Sequence, residues 1–382
     1  MKGFINAKTY VHGEGFIVTN VAVENGKIVA IGNDVKIDQP FPYTEGQIVV
    51  PGFIDQHVHG ANSSDGMDAN LSALKNISTA LATEGTTSFL VTTMTQSKEN
   101  IKNALSAVNT FISNYDNCGA EALGVHLEGP FISSKHIGAQ PPEYVIKPDV
   151  DTFNEFYTIS GNNIKIVSLA PEEDGALELI KELVKKGVVP SVGHSDAGYE
   201  DIKKAIGVGL KNVTHTFNAQ KGIHHREVGV AGSALLFDEV YAEIICDLVH
   251  LSIPAIKLVL KNKPKDKVIL ITDAIRAKGL SDGESELGGQ KVYVSNGEAR
   301  LSNGALAGST LKMNVSISNL VKNCGAKLED VIDYATINPA TNLNVAYKIG
   351  SIKVGKNADF AVLDNEYNVM LTVKNGEIIY SV

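Results

Sequence analysis

The chain has 382 residues, of which 43% are hydrophobic, and its formal net charge is -9 at pH 7. This size allows two or three domains, or one large barrel with an appendage, and the hydrophobic fraction is sufficient for a large buried core. Because the acidic charge is spread without long blocks, it argues against a surface that binds nucleic acid or membranes. We therefore expect an ordinary soluble globular protein.

The two ends of the chain have the pattern of short β-strands. Asn25-Gly26 near the start and Asn375-Gly376 near the end are each flanked by strand-like sequence, which is the strongest short-range signal for a hairpin. Neither end could bury its apolar face alone. We expect residues 1–52 and 345–382 to pack together as one discontinuous β-sandwich domain.

Between these ends, short apolar runs alternate with helical patterns. The predicted strands lie near residues 53–59, 87–92, 123–128, 164–170, 188–194, 212–216, 241–247 and 268–273. Eight strands alternating with helices favour an α/β fold of the (β/α)₈ barrel type, since the typical barrel takes ~250 residues. We place this barrel at residues 53–344. An open doubly wound sheet is the alternative, but it requires a glycine-rich phosphate loop after its first strand, which this sequence lacks.

The helical patterns between the strands differ in clarity. The clearest has Ala176, Ile180, Leu183 and Val184 on one apolar stripe and ends at Gly187. Further helices are predicted near residues 70–83, 98–114, 198–208, 252–261 and 311–323.

A β segment is expected after the last barrel strand. Two Asn-Gly turns, at residues 296–297 and 303–304, predict a β excursion over residues 290–306. Since it follows the eighth strand, it should lie at the catalytic edge of the barrel and cover the site.

Three cysteines and the first residues bear on the cellular compartment. Cys118, Cys246 and Cys324 are odd in number and widely spaced, with no Cys-x-x-Cys pair, so they predict neither a disulfide framework nor a thiolate zinc site. The N-terminus runs directly into strand-like sequence, without a signal peptide or a long apolar segment. The sequence thus predicts a cytoplasmic protein.

Residues that can bind a metal ion stand at the ends of five apolar runs. These residues are His57, His59, Glu128, His194, His215 and Asp273. Taken singly, each could be a hydrogen-bonded polar group at a strand end. His57 and His59, however, share one strand, whose side-chain period of two points them the same way. Because parallel barrels carry their reactive groups at the carboxyl ends of the strands, the set predicts a metal centre there.

Longer motifs around these positions resemble a known family. The sequences His-Leu-Glu-Gly-Pro-Phe at residues 126–131 and Thr-His-Thr-Phe-Asn-Ala at residues 214–219, together with the His-Val-His at residues 57–59, resemble the N-acetylglucosamine-6-phosphate deacetylase family of the amidohydrolase superfamily. The similarity covers essentially the whole chain. It implies hydrolysis of N-acetylglucosamine 6-phosphate to glucosamine 6-phosphate and acetate, in amino-sugar catabolism and cell-wall sugar recycling.

The resemblance also implies roles for individual residues. The ligands that it implies for one or two divalent transition ions (Zn, Fe, Mn or Co) are His57, His59, Glu128, His194 and His215. Glu128 would take the place of the modified lysine that bridges two ions in many relatives. Asp273 would act as general base and then general acid, and His250 would polarise the amide carbonyl. His126 would support the ligands without being one.

Contacts to the sugar phosphate follow from the same resemblance. They are Ala139, Gln140, Asn218, Ala219, His225, Arg226, His250, Leu306, Ala307 and Gly308. Arg226 suits a phosphate because its planar fork makes two charge-assisted hydrogen bonds. Gln140 departs from the family pattern, in which some members carry His at this position. The resemblance further implies a homodimer in which His225 or Arg226 reaches the neighbour's site.

Two other functions remain open. The first is a deacetylase for another N-acetylated sugar phosphate, such as N-acetylgalactosamine 6-phosphate, because loop residues choose the sugar epimer. The second is a catalytically inactive homologue that binds sugar phosphates, which the intact set of candidate ligands argues against.

Overall fold

A computed structural model describes residues 1–382 and contains a barrel of eight parallel strands. In chain order these strands are Phe53–Val58, Thr86–Thr92, Glu121–Glu128, Ile164–Leu169, Val189–Val192, Asn212–Val213, Tyr241–Ile245 and Val268–Ile271. Each strand pairs with the next in parallel. The seam closes where the Asp273 N–H donates to the His57 carbonyl at 2.8 Å and the His59 N–H donates to the Ala274 carbonyl at 2.9 Å. The predicted barrel is confirmed.

The barrel strands are short and almost wholly buried because both of their faces are covered. Inward side chains fill the barrel, and outward side chains pack against the surrounding helices. All residues of Val268–Ile271 and of Tyr241–Ile245 are buried. Glu243, in the second of these strands, is a charged residue with no exposed surface.

Ten α-helices accompany the strands. They are Leu71–Ala82, Lys98–Ser113, Val150–Ile159, Ala176–Lys185, Tyr199–Gly207, Gly229–Leu236, Ile253–Asn262, Met313–Lys322, Leu328–Ala335 and Ile337–Asn342. Short 3₁₀ turns occur at Gly66–Asp68, Pro142–Tyr144 and Lys265–Lys267. None of the helices is both long enough and apolar enough to cross a membrane.

The helix Ala176–Lys185 corrects one detail of the predicted apolar stripe. Its buried residues include Leu179, whereas Val184 is 47% exposed. Each residue turns the helix by about 100°, so Val184 lies roughly a quarter turn beyond Leu183 and leaves the buried face. Leu179 instead lies on the side of Ala176 that packs against the barrel.

Both chain ends contribute to a second sheet of eight strands. Its strands are Lys2–Val11, Gly15–Glu24, Lys27–Ile31, Gln39–Pro40, Ile48–Pro51, Phe360–Leu363, Val369–Lys374 and Glu377–Ser381. Ile48–Pro51 is central, because it pairs with the first strand on one side and with Phe360–Leu363 on the other. Side chains from both halves, such as Phe4 and Phe360, share one core. The β domain built from both ends is confirmed, and its limits at residues 52 and 345 stay predictions.

A three-stranded antiparallel sheet lies beside the mouth of the barrel. It consists of Gly283–Leu287, Gln290–Ser295 and Glu298–Leu301. The predicted turn at Asn296 and Gly297 joins the last two strands, with positive φ values of 52° and 76°. Leu287 and Val292 pack in one apolar cluster with Met94 from the barrel side. The sheet begins earlier than predicted, and it is placed to cover the barrel mouth.

Candidate metal centre and active site

The candidate ligands from the first, third and eighth barrel strands converge at the carboxyl edge. Nε2 of His57 lies 3.4 Å from Glu128 Oε1, and Nε2 of His59 lies 3.2 Å from Glu128 Oε2. Asp273 Oδ1 is 3.4 Å from the first of these nitrogens and 3.2 Å from the second. His57, in the first strand, and His59, one residue past its end, therefore face the same pair of carboxylates, as the period of two predicts.

The other two histidines complete a second group around the same carboxylate. Nε2 of His194 and Nε2 of His215 lie 3.2 Å and 3.1 Å from Glu128 Oε1, and they are 3.1 Å from each other. Glu128 is thus common to two groups of potential ligands, one with His57 and His59 and one with His194 and His215.

The donor atoms of this cluster fit a cation. His194 Nδ1 lies 3.0 Å from the His136 carbonyl oxygen, so it carries the hydrogen and leaves the Nε2 lone pair facing the cluster. His57 Nε2 is buried and has no hydrogen-bond partner. Lone pairs that converge at this distance repel each other unless a cation lies between them. Imidazole and carboxylate donors together suit divalent transition ions.

The charges in the cluster also indicate that it needs a cation. Burial raises the pKa of Glu128, but the charge of His57 and hydrogen bonds from the other histidines outweigh burial and hold this pKa well below its usual range. By the same balance the pKa of Asp273 falls to about 2. Burial lowers the pKa of His59, yet the two carboxylates raise it to about 9. Two buried carboxylates stay ionised, so they require positive charge from protons or from a metal ion.

The backbone turns sharply at three of the candidate residues. His194, His215 and Asp273 have positive φ values of 50°, 29° and 49°, which are uncommon for residues other than glycine. Each of these residues follows shortly after a barrel strand. Such strained conformations persist only where the surrounding structure enforces them, and they concentrate at functional sites.

A cavity of about 240 Å³ opens above the cluster. It is lined by His59, Met94, Glu128, Gly138, Ala139, Gln140, His194, His215, Asn218, Ala219, His250, Asp273, Leu287, Ala305, Leu306 and Gly308. Most of the residues predicted to contact the sugar phosphate are therefore at the cavity wall. The exceptions are Ala307, which is fully buried in an apolar cluster, and His225 and Arg226, which lie on an exposed segment outside the cavity.

Two side chains at the cavity wall are oriented by neighbouring polar groups. Gln140 donates from Nε2 to Glu128 Oε2 at 2.8 Å, while its own Oε1 accepts the Thr95 N–H at 2.7 Å. His250 Nδ1 lies 2.6 Å from Asp247 Oδ2. Burial lowers the pKa of His250, but the hydrogen bond and charge of Asp247 raise it above its usual value. Gln140 thus anchors the shared carboxylate, and Asp247 leaves the other ring nitrogen of His250 for the cavity.

Beneath the cluster, His126 occupies a fully paired position. Its Nδ1 lies 3.2 Å from the Gln56 carbonyl oxygen and its Nε2 lies 2.7 Å from Ser168 Oγ. Burial lowers its pKa to about 3, so the ring is neutral. Its ring packs edge-on against His57 with the centroids 4.5 Å apart. With both ring nitrogens paired, His126 has none left for a metal ion.

Several residues of the site were not predicted from the sequence. Met94, Gly138, Leu287 and Ala305 line the cavity, and Asp247 orients His250. The side chains of the lining include no Lys or Arg. The cavity wall of a single chain therefore offers no Lys or Arg to a phosphate group.

Comparisons with known proteins agree with this architecture. Residues 48–379 match the model of the amidohydrolase family. The N-acetylglucosamine-6-phosphate deacetylase of Bacillus subtilis (strain 168) is 40% identical over 368 residues, which cover 94% of this chain and 92% of that protein. The N-acetylgalactosamine-6-phosphate deacetylase of Escherichia coli O157:H7 is 31% identical over 383 residues, with 99% of each chain covered.

A solved structure extends the similarity to the whole fold. A mutant of N-acetyl-D-glucosamine-6-phosphate deacetylase from Mycobacterium smegmatis, in complex with N-acetyl-D-glucosamine-6-phosphate, superposes with a TM-score of 0.93 at 28% identity. The superposition covers 100% of both chains. Barrel and chain-end sheet therefore occur together in that protein as they do here.

Proposed function

The chain belongs to the amidohydrolase family, and we propose that it hydrolyses the acetamide of N-acetylglucosamine 6-phosphate to glucosamine 6-phosphate and acetate. The observation that carries the proposal is the convergence of four histidines and two carboxylates beneath one cavity. This cluster stands in a chain that aligns over nearly its whole length with deacetylases of that substrate.

The donor atoms support one or two divalent ions, drawn from Zn, Fe, Mn or Co. His57, His59 and Glu128 would hold one ion, and Glu128, His194 and His215 would hold the other. When bound, a divalent ion lowers the pKa of a coordinated water and offers positive charge to the developing oxyanion. Both positions offer the same donor types, imidazole and carboxylate. The donors therefore do not select one of these metals, and the metal that is available decides which ion is bound.

The chain's own residues supply the proton transfers and the orientation. Asp273 lines the cavity, and its low pKa keeps it ionised, so it can take a proton from the attacking water. The water oxygen then bonds to the carbonyl carbon and the C–N bond breaks. Asp273 returns the proton to the departing amine, and His250 stabilises charge on the carbonyl oxygen.

Metal content and acetate release test the proposal together. We expect the purified protein to carry one or two divalent transition ions per chain and to release acetate from N-acetylglucosamine 6-phosphate. Chelation should remove both the metal and the activity, and adding back the ion should restore them. A fully active preparation without stoichiometric metal would contradict the proposal.

The sugar epimer is tested with a matched substrate pair. The Escherichia coli relative acts, by its name, on N-acetylgalactosamine 6-phosphate, and it aligns over the same length of chain. Comparing kcat/KM for the two phosphosugars decides between them, because the reacting acetamide is the same. A higher value for the galactosamine derivative would assign this chain to the alternative substrate.

No Lys or Arg lines the cavity of a single chain, so a cation that contacts the phosphate would come from a residue outside this wall. We propose a homodimer, in the cytoplasm, in which the exposed Arg226 reaches the partner's cavity. Arg226→Ala should lower kcat/KM for the 6-phosphate substrate by roughly 10- to 150-fold, the equivalent of a charge-assisted hydrogen bond, and leave the unphosphorylated sugar almost unaffected. Equal losses for both sugars would remove Arg226 from the site.

Mixing two inactive variants tests whether the contact crosses the interface. Asp273→Asn and Arg226→Ala are each defective, but a mixed dimer holds one site with both natural residues if Arg226 acts on the partner. Random exchange should then restore about a quarter of the wild-type activity, because half of the dimers are mixed and half of their sites are intact. If the activity of the mixture does not exceed that expected from the two separate variants, Arg226 acts on the active site of its own chain.

A further inference from the structure

Glu243 lies beneath the metal-ligand cluster, in the seventh barrel strand, with no exposed surface. Its Oε1 accepts hydrogen bonds from Gln56 Nε2 at 2.6 Å and from Asn212 Nδ2 at 3.0 Å. Its Oε2 lies 3.3 Å from His57 Nδ1 and accepts the His215 backbone N–H at 3.2 Å. The reaction assigned above makes no direct use of this carboxylate.

The four partners of Glu243 fix its chemical state. The two amide groups and the backbone N–H all donate to Glu243, and hydrogen bonds of this kind favour the ionised carboxylate over the neutral acid. The hydrogen shared with His57 therefore belongs to Nδ1 of the imidazole. This assignment places the His57 lone pair on Nε2, the buried nitrogen that faces Glu128 and Asp273 and has no hydrogen-bond partner.

The same carboxylate oxygen also reaches the second group of ligands. The His215 N–H that it accepts belongs to a residue with a strained φ of 29°. One oxygen thus orients the ring of His57 and holds the turn that presents His215. A residue with these contacts can influence both positions of the metal centre without touching either ion.

We propose that Glu243 is a positioning residue that sets the His57 tautomer and the His215 turn for binding a divalent ion. The inference rests on the metal centre of the proposed function. Partners that orient metal-binding histidines in this way typically contribute 10- to 100-fold to metal affinity or activity.

The isosteric variant Glu243→Gln tests whether Glu243 orients the metal-binding histidines, because it leaves the packing of the barrel interior unchanged. Its amide nitrogen meets a donor on either side, which is the His215 backbone N–H on one side and the Gln56 and Asn212 amides on the other. The two side-chain amides can turn to present their oxygens, whereas the backbone N–H cannot, so the oxygen of the variant stays on the His215 side. The charge on the acceptor of His57 is lost, while the shape of the side chain is kept. We expect the ion held by His57 to bind about 10- to 100-fold more weakly in this variant.

Titration of the metal-free full-length protein with Co²⁺ alone measures this effect. Wild type and His57→Asn are titrated first, and the Co²⁺ binding that is lost in His57→Asn is assigned to the position that contains His57. The dissociation constant of that position is then compared between wild type and Glu243→Gln. The visible absorption of the Co²⁺ reports ligand geometry at the same time. This readout requires no substrate and no turnover.

Glu84→Gln is the matched control. Glu84 is as deeply buried as Glu243 and pairs with Lys278 Nζ at 2.6 Å, but no imidazole contacts it. We expect Glu84→Gln to lower the melting temperature and to bind Co²⁺ as wild type does. Wild-type Co²⁺ affinity in Glu243→Gln, or equal weakening in both variants, would overturn the positioning role. Absence of Co²⁺ binding by wild type would instead overturn the proposed function.

Discussion

Asp273 is the single residue whose substitution tests the chemistry most directly. Asp273→Asn keeps the shape of the side chain but cannot accept a proton, so kcat should fall by at least ~10²-fold, within the range usual for general acid–base catalysis. Substrate binding should largely survive, because the variant keeps the cavity wall. Steady-state kinetics with the metal content of each sample measure both quantities. Turnover close to that of wild type in a metal-loaded sample would exclude the role.

Asp247 should control the pH dependence through His250. Since the Nδ1 hydrogen faces Asp247, the ring can donate from Nε2 only while it is protonated. Activity should therefore fall as pH rises through the pKa of His250, which Asp247 holds above its usual value. Asp247→Asn lowers that pKa, so the alkaline fall of kcat/KM should move to lower pH. Asp238→Asn, at an exposed position, should leave the profile unchanged.

The candidate ligands could be located from the sequence, but the groups that orient them, apart from His126, could not. The common orientation of His57 and His59 follows from the period of two in a strand. Glu243 is a lone acid inside an apolar run, and its partners come from other strands, so nothing local distinguishes it from a strand-edge acid. The positive φ values of His194 and His215 are equally hidden, because tertiary packing enforces them.

At the scale of secondary-structure elements, the three-stranded sheet acts on the cavity through Gln290. Its Nε2 donates to the Ala139 carbonyl at 2.6 Å and so ties the sheet to a segment of the cavity wall. Gln290→Ala should raise KM by about 2- to 12-fold, the equivalent of one net hydrogen bond, with little change in kcat. Lys291→Ala, at the adjacent exposed position, is the control and should change neither constant. A fall in kcat alone would contradict this anchoring role.

The boundaries of this sheet show where prediction of elements fails. Its first strand, Gly283–Leu287, is mostly exposed and carries two glutamates, so it has no apolar alternation to detect. The helix Gly229–Leu236 fails for the opposite reason, because most of its residues are buried and no polar face remains. Barrel strands such as Val268–Ile271 were predicted because they contain short apolar runs.

At the scale of the whole molecule, Lys374 joins the chain-end sheet to the barrel. Its fully buried Nζ lies 2.9 Å from Asp359 Oδ2 and 2.7 Å from Glu121 Oε2. Lys374→Met leaves these carboxylates without their cation and should lower the free energy of unfolding by about 3–5 kcal/mol. Lys322→Met, which breaks an exposed pair with Glu366, should cost about 0–1 kcal/mol.

Denaturant midpoints of the two lysine variants measure this difference. The kcat of folded Lys374→Met should equal that of wild type, because no group of the cavity contacts Lys374. Equal midpoints for the two variants would show that the buried lysine does not hold the two sheets together.

The closure of the barrel also sets the order in which the protein can assemble during its synthesis. Thr272 donates two hydrogen bonds to Asp55, which lies 217 positions earlier, across the seam where His57 and Asp273 meet. A nascent chain exposes His57 and His59 long before Asp273, one of the two carboxylates that face them, has been translated. Contacts of such high sequence separation form slowly, and they leave strand edges open in the meantime. We therefore expect the pair of carboxylates that faces His57 and His59 to be complete only after the eighth strand has left the ribosome.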